Sequence, residues 1–272
     1  MTLADRQIVA DLMPQRIVCL TEETVETLYL LGQQHRIVGV TGYAIRPPEV
    51  RREKPRVGAF TSADIPKILA LKPDLVLTFS DLQADIVAQL IRAGVAVHAF
   101  NQRDVAGILS MIRTLGALTG VPDKAAALID LHAARIAALR CRPANIRPRI
   151  YFEEWDEPMI SGIRWASELI EVAGGVDVFD TLSHEPAAKD RIVRSEQVIA
   201  AAPDIIIGSW CGKKVRPEKI AARPGWSEIP AVRDGHIYEI KSPLILQPGP
   251  AALGDGLDAI CAIIAKATGG AA

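Results

Sequence analysis

Residues 16–42 read RIVCLTEETVETLYLLGQQHRIVGVTG, and this stretch decides the fold. An apolar run at 16–20 is followed by a helical pattern at 22–31, a glycine, and a second apolar run at 36–40. Strand, helix and strand at this spacing are typical of a βαβ unit, in which the two strands are parallel. The sequence therefore predicts an α/β fold.

Strand and helix patterns go on alternating through the rest of the chain. Further short apolar runs predict strands at 74–79, 95–100, 149–155, 204–210 and 237–240. Helical patterns predict helices at 64–71, 82–93, 104–119, 164–173, 195–201 and 250–267. The alternation indicates mostly parallel sheets with helices packed on them, and the apolar runs read as buried strands.

The two halves of the chain are similar to each other. ILALKPDLVL at 68–77 returns in altered form as VIAAAPDIII at 198–207, each with a helix end, a Pro-Asp turn and a strand. Between the halves, an alanine-rich stretch that opens with proline predicts one long helix at 122–142. We predict two Rossmann-like lobes, residues 1–121 and 143–272, joined by that α-helix, with a ligand cleft between the lobes.

Composition and charge exclude several classes of protein. Of 272 residues, 49% are hydrophobic and 23% are charged, so the chain has enough apolar surface to form a core. With 31 Lys and Arg against 32 Asp and Glu, the net charge of −1 leaves no basic excess for binding nucleic acid. Since no apolar run approaches the roughly 20 residues that span a bilayer, we expect no membrane insertion.

The first residues of the chain bear on its location. They read MTLADRQIVADLM, without a basic start, an uninterrupted apolar segment or a small-residue cleavage site, so they do not read as a secretory signal. The cysteines form no CxxC pair and the histidines are scattered, which argues against a disulfide framework and against a metal site. We therefore expect a cytoplasmic protein, or a periplasmic one if a leader has been removed.

Ligands bind to open parallel sheets beyond the carboxyl ends of the strands, so the residues there are candidates for a binding site. In the first lobe these candidates are Tyr43, Phe60, Thr61, Ser80 and Asp81. In the second lobe they are Glu154, Trp155, Trp210, Cys211, Lys213 and Gln247. The two tryptophans end predicted strands, where indole rings suit a flat or bulky ligand; the alternative is that they close the core of the lobe.

Several residues at these strand ends have a second interpretation. Thr21, before the first helix, is close to a capping box, which would make it structural. The acidic cluster at 153–157 would serve as a catalytic carboxylate pair or as a solvated rim. Cys211 would be a nucleophile, a metal ligand or an ordinary cysteine. Arg164 and Lys213 would also suit an anionic ligand through charge-assisted hydrogen bonds.

Enzyme signatures are missing from the sequence. GSWCG at 208–212 has tryptophan where a nucleophile elbow has serine, and no GxxxxGK[ST] or GxGxxG motif follows a strand. We therefore predict a non-catalytic binding protein. The alternative is a hydrolase or lyase that uses Cys211 or the acidic cluster at 153–157.

Four stretches of sequence carry a resemblance to a known family. They are IVCLTEETVETLYLLGQQHRIVGVTGYAIRPPE at 17–49, PRVGAF at 55–60, KILALKPDLVL at 67–77 and RSEQVIAAAPDIII at 194–207. The chain resembles the cobalamin-binding type of ABC-transporter substrate-binding protein, and the resemblance covers about residues 15–265. That family has two lobes and one long helical connector, and its wider group includes haem and siderophore binders.

The resemblance implies roles for particular residues. Tyr43 and Phe60 fall where the family places aromatic rings against the corrinoid, whereas the second-lobe aromatic position is occupied by Asp190, so that contact is lost. The family presents one glutamate per lobe to its membrane transporter. Glu196 matches the second of these, but Pro66 stands at the first, which argues against docking on a transporter permease.

The residues and the resemblance together predict that the protein binds a corrinoid, either cobalamin or cobinamide. The corrinoid would be a ligand and not a catalytic cofactor, and the protein would be a cytoplasmic relative of the transporter proteins. A haem or ferric-siderophore binder on the same scaffold is the first alternative, with Tyr43 or Cys211 as the axial ligand of haem iron. A periplasmic transport component is the other alternative.

Overall fold

Aliphatic residues form the strands that the sequence predicts, and a computed structural model shows how these strands pair. The structure describes residues 12–141 and 147–269. The predictions that fall on residues 1–11, and on residue 142 at the end of the predicted long helix, lie outside the described residues.

The chain divides by its contacts into two units, which are described separately. Unit 1 consists of Met1–Gln102 and Ala106–Asp130, and unit 2 consists of Arg103–Val105 and Leu131–Ala272. The division falls inside the long helix that the sequence predicts.

Unit 1 contains a four-stranded parallel sheet. Its strands are β1 Ile17–Cys19, β2 Ile37–Val40, β3 Leu75–Phe79 and β4 Val97–Phe100, in the order β2-β1-β3-β4. Ile17 lies opposite Ile37 on one side and Leu75 on the other, so these strands end at one edge of the sheet. Each strand lies inside a predicted range.

The edge position of β4 corrects one expectation. The sequence predicts a buried strand there, but β4 is at the end of the sheet, with Ala99 exposed and His98 half-buried. The ring of His98 lies 4.3 Å from that of Phe100, centroid to centroid, and partial burial lowers the pKa of His98. A short apolar run in the sequence does not distinguish a central strand from an edge strand, because both give the same pattern.

Helices cover the sheet of unit 1. They are α1 Glu22–Leu30, α2 Val50–Glu53, α3 Ile65–Ala70, α4 Ala84–Arg92, α5 Val105–Leu118 and α6 Pro122–Arg140, of which α5 and α6 have residues in both units. Asp64 caps α3, because its carboxylate accepts a hydrogen bond from the backbone N–H of Lys67 at 3.0 Å. The core of unit 1 includes Val18, Leu20, Val57, Ile68, Val76, Ile86 and Leu90.

A glycine allows α5 and α6 to approach closely. A Cβ atom on Gly116 would overlap with the Cβ of Ala125 and would lie 3.3 Å from the carbonyl oxygen of Val121. We expect Gly116→Ala to lower the free energy of unfolding by about 1–3 kcal/mol, although alanine is the better helix former. Urea denaturation measures this change. Arg113→Ala, an exposed change in the same helix, is the control, and an equal effect of the two variants would contradict the expectation.

Unit 2 contains a five-stranded mixed sheet. Its strands are β5 Arg149–Asp156, β6 Met159–Ser161, β7 Val176–Asp177, β8 Ile205–Gly208 and β9 Ile237–Glu239. The order is β6-β5-β8-β9, with β7 also paired to β5. All pairs are parallel except β5 with β6, which form an antiparallel hairpin that the sequence did not predict.

The helices of unit 2 are mostly short. They are α7 Arg164–Val172, α8 Asp180–Ser183, α9 Ser195–Ala201, α10 Pro217–Ala221, α11 Pro230–Arg233, α12 Ser242–Ile245 and α13 Leu257–Thr268. The helix predicted at 250–267 is interrupted, since Ala252–Gly256 form a π-helical turn before α13. The core includes Tyr151, Val193, Val198, Ile206, Trp210, Val215, Ile220, Trp226, Ile229 and Ala231.

The α/β class with mostly parallel sheets is therefore confirmed. Of the helices in the described parts of the chain, none combines the length and apolar character that crossing a membrane requires.

Candidate ligand-binding edges

Two adjoining loops bring together the predicted aromatic residues of unit 1. The backbone N–H of Gly42, after β2, donates to the carbonyl oxygen of Gly58 at 2.7 Å. Tyr43 lies on the first loop, with 51% of its surface exposed, and Phe60 lies half-buried on the second. Because both loops lie at the edge where the parallel strands end, these rings are placed where such sheets bind ligands.

An ion pair fixes the first of these loops to α1. The Nε of Arg46 lies 2.8 Å from a carboxylate oxygen of Glu26, whose side chain is almost buried. The pair holds the segment that follows Tyr43, so the exposed ring stands on an anchored loop.

Gln83 is a positioning residue that the sequence analysis missed. Its amide nitrogen donates to the carbonyl oxygens of Leu20 at 3.2 Å and Phe60 at 2.7 Å, and its amide oxygen accepts from the backbone N–H of Phe79 at 3.0 Å. Gln83 is fully buried and so ties the ends of β1 and β3 to the loop of Phe60. A glutamine at the start of a predicted helix gives no sign of these partners.

The loop after β3 carries backbone strain. Ser80 has a φ of 59°, in the left-handed region, and its Oγ accepts a hydrogen bond from the backbone N–H of Leu82 at 3.3 Å. Ser80 is buried, whereas Asp81 and Thr61 are exposed. Non-glycine residues in this conformation concentrate at functional sites.

The start of α1 differs from the expected capping box. Thr21 is the N-cap residue, but its side chain makes no capping hydrogen bond to the described backbone; its Oγ1 lies 3.3 Å from that of Thr24. The capping-box interpretation of Thr21 is therefore wrong. Thr24 instead donates to the carbonyl oxygen of Thr21 at 3.0 Å, which bonds this first turn locally.

Glu23, in the first turn of α1, is a buried acid that the sequence analysis did not single out. It is 2% exposed, and its Oε1 has no hydrogen-bond partner among the described residues. Burial raises the pKa of Glu23 to about 8, and the neighbouring charge of Glu22 acts in the same direction. Burial also raises the pKa of the Cys19 thiol to about 12. Both groups are therefore neutral at pH 7.

In unit 2, Glu153 is the centre of a buried polar network. Its carboxylate accepts two hydrogen bonds from Arg223, at 2.5 and 3.0 Å. It also accepts from the Nε1 of Trp210 and from the hydroxyl of Tyr151, each at 3.1 Å. Glu153 is fully buried, so the expectation of a solvated rim is wrong for this residue.

Glu154, the next residue on β5, also pairs with an arginine. Arg191, itself 1% exposed, donates to the two carboxylate oxygens of Glu154 at 2.5 and 3.2 Å, and to the carbonyl oxygen of Ser161 at 2.5 Å. Glu154 is thus committed to an internal ion pair. Asp190 precedes Arg191 in a short 3-10 turn and is exposed.

Trp155 and Trp210 differ in their surroundings. Trp210 is 2% exposed and belongs to the core of unit 2, so the alternative that it closes this core is the right one. Trp155 is half-buried, and its Nε1 donates to the carbonyl oxygen of Glu157 at 2.9 Å. The Nζ of Lys213 lies 2.6 Å from a carboxylate oxygen of Asp156, so its charge is balanced within the protein.

The other predicted residues of unit 2 are also placed by the structure. Arg164 pairs with Glu168 at 3.0 Å and with Asp104 at 3.7 Å, so its charge is balanced within the protein as well. Cys211 is exposed and Gln247 is half-buried.

The two positions carried over for transporter docking are both on the surface. Pro66 lies in the first turn of α3 and Glu196 in the first turn of α9, and both are exposed. Within residues 12–141 and 147–269, no three His, Cys, Asp or Glu side chains are grouped to hold a metal ion.

The strand ends of unit 1 therefore form a candidate ligand-binding edge. The chain belongs to the periplasmic binding protein family, whose model matches residues 17–244. It is 26% identical over 252 residues to a vitamin B12-binding protein of Vibrio vulnificus, covering 88% of this chain and 86% of that protein. It is 27% identical over 257 residues to the ABC transporter substrate-binding lipoprotein YvrC of Bacillus subtilis, covering 87% and 76%.

Solved structures show the same fold. The periplasmic vitamin B12-binding protein BtuF of Vibrio cholerae has a TM-score of 0.75 and 25% identity, covering 94% of this chain and 98% of that one. The periplasmic haem-binding protein RhuT of Roseiflexus has a TM-score of 0.77 and 25% identity, covering 92% and 98%. The resemblance stated from the sequence is confirmed.

Membership of this family settles two earlier expectations. The protein is a solute-binding protein and not an enzyme, so the hydrolase or lyase alternative is wrong. The expectation of a cytoplasmic protein is also wrong, because the relatives are periplasmic proteins or lipoproteins of ABC transporters.

Proposed function

We propose that the protein binds a corrinoid, cobalamin or cobinamide, at an edge that includes Tyr43 and Phe60. The observation that carries the proposal is the exposed ring of Tyr43, on an anchored loop at the strand ends that adjoins the loop of Phe60. A corrin ring is broad and flat, with apolar faces and a polar rim, so an aromatic ring on a fixed loop suits it. Relatives that span most of the chain and bind vitamin B12 support the choice.

Equilibrium dialysis against cyanocobalamin and dicyanocobinamide tests this proposal. We expect saturable binding of both corrinoids, and Tyr43→Ala should weaken it about tenfold because a large contact with the ring is lost. Leu30→Ala, which removes another exposed apolar side chain at the far end of α1, is the matched control and should have no effect. Absence of saturable binding to the wild-type protein, or equal effects of the two variants, would reject the proposal.

Haem is the second candidate, because Tyr43 also offers an exposed phenol oxygen, which is an axial ligand of haem iron in some proteins. Tyr43→Phe separates the two ligands. The variant keeps the ring, so corrinoid binding should persist, whereas an iron–phenolate bond would be lost together with its visible spectrum. If haemin binds and its spectrum changes in Tyr43→Phe, the haem interpretation is favoured.

Docking on a transporter is a separate part of the proposal. Glu196 offers one exposed carboxylate, whereas the uncharged Pro66 stands at the other carried-over position. We therefore propose that any coupling to a permease depends on Glu196 alone.

A further inference from the structure

Two indole rings and a carboxylate surround one lysine ammonium group in unit 2. The Nζ of Lys213 lies 5.3 Å from the ring centroid of Trp155 and 5.1 Å from that of Trp210. The same Nζ lies 2.6 Å from the Oδ2 of Asp156. Faces of tryptophan rings attract cations through their negative quadrupole, and a carboxylate adds a full opposite charge. We call Trp155, Trp210 and Asp156 the cation cage. The cation that they bind in this structure is the ammonium group of Lys213, which belongs to the protein itself.

The walls of the cation cage are fixed independently of Lys213. Trp210 is held by the hydrogen bond from its Nε1 to Glu153 at 3.1 Å, and Trp155 by the one from its Nε1 to the carbonyl oxygen of Glu157 at 2.9 Å. Since neither indole depends on the lysine for its hydrogen bond, removal of the ammonium group would leave both ring faces in place.

Lys213 is placed so that it is able to leave. Its side chain is 47% exposed, and it follows Gly212, whose φ of 68° turns the chain and whose surroundings are open space. An exposed lysine that swings into water loses little, because an ion pair of this exposure is weak. The occupant of the cage is therefore exchangeable.

The carboxylate of Asp156 indicates what kind of cation would replace the ammonium group of Lys213. Its Oδ1 is buried and receives no hydrogen bond from the part of the chain that the structure describes, so Lys213 uses only half of this acceptor. A planar guanidinium donates to both oxygens of a carboxylate and stacks on aromatic faces, whereas a quaternary ammonium has no N–H to donate.

We propose that the cation cage of Trp155, Trp210 and Asp156 binds a small guanidinium compound, which displaces Lys213. The exchange replaces one positive charge by another, so the local charge is conserved. The cation cage lies within unit 2, and its test does not require corrinoid binding.

Calorimetric titration of the full chain with methylguanidinium at millimolar concentration tests the proposal, with tryptophan emission as a second signal. Lys213→Ala removes the competing occupant, so we expect this variant to bind several-fold more tightly than the wild type. Lys214→Ala is the matched control, because it removes the same charge from the neighbouring exposed residue, and it should bind as the wild type does.

Two further measurements identify the chemistry. Asp156→Asn in the Lys213→Ala background should lose at least tenfold in affinity, because the asparagine side chain is the same size but uncharged. Tetramethylammonium should bind Lys213→Ala more weakly than methylguanidinium does. The proposal is overturned if Lys213→Ala shows no saturable binding, if its affinity equals that of Lys214→Ala, or if tetramethylammonium binds as well as methylguanidinium.

Discussion

Glu153→Ala is expected to lower the free energy of unfolding by about 3–5 kcal/mol, the range found when one partner of a buried ion pair is removed. Glu153 is fully buried, and the side chain of its partner Arg223 is only 18% exposed. Alanine would leave the guanidinium without its carboxylate and would also remove the acceptor of the Trp210 and Tyr151 hydrogen bonds. The cost comes mainly from the charge that remains, and not from the pair that is lost.

Urea denaturation followed by circular dichroism at 222 nm measures this effect. Arg233→Ala is the control, because Arg233 pairs with Asp234 on the surface and surface pairs contribute about 0–1 kcal/mol. Glu153→Gln keeps one acceptor oxygen, for either the indole or the phenol, and loses the charge, so it should fall between the two. If Glu153→Ala lowers the free energy of unfolding no more than Arg233→Ala does, the network of Glu153 does not stabilise unit 2.

The same network shows where sequence reasoning about the site reaches its limit. The strand at 149–155 was predicted almost to its observed end at Asp156, because its apolar residues form a local pattern. The fate of the acids on that strand depends on Arg223, Arg191 and Lys213, which lie 70, 37 and 57 residues along the chain from their partners. No local pattern contains those pairings, so a cluster of acids reads as a rim.

Short elements were missed for a related reason. β6 has three residues and exists because it pairs with β5, and the strand predicted at 95–100 became an edge because no further strand covers it in the described sheet. The place of Tyr43 on a loop after β2 was predictable, because this position depends on no distant partner. Buried single residues such as Gln83 and Glu23 were missed, since polar residues in a helical pattern are expected to face water.

The stability of the protein should fall as the pH rises towards 8, and Glu23→Gln should remove much of this fall. An ordinary glutamate loses its proton near pH 4.5, but burial raises the pKa of Glu23 to about 8 in the folded protein. Between these two values the folded state binds more protons than the unfolded state, so each rise in pH favours unfolding. At about 1.4 kcal/mol per pKa unit, the free energy of unfolding falls by at most about 5 kcal/mol, and the whole of this fall is reached above pH 8.

Glutamine is neutral at every pH and close to the shape of a protonated glutamate, so the variant should match the wild type near pH 4 and exceed it in stability at about pH 8.5. Denaturation midpoints across this range give the comparison, with Glu185→Gln as an exposed control of equal charge change. Burial also raises the pKa of Asp177 to about 6 and that of Glu22, so part of the pH dependence should remain in Glu23→Gln. Equal midpoints for the wild type and Glu23→Gln at pH 8.5 would mean that Glu23 ionises without cost. A higher stability of Glu23→Gln at pH 8.5 would mean that the candidate ligand-binding edge of unit 1 carries a neutral carboxyl group at pH 7, able to donate a hydrogen bond as well as accept one.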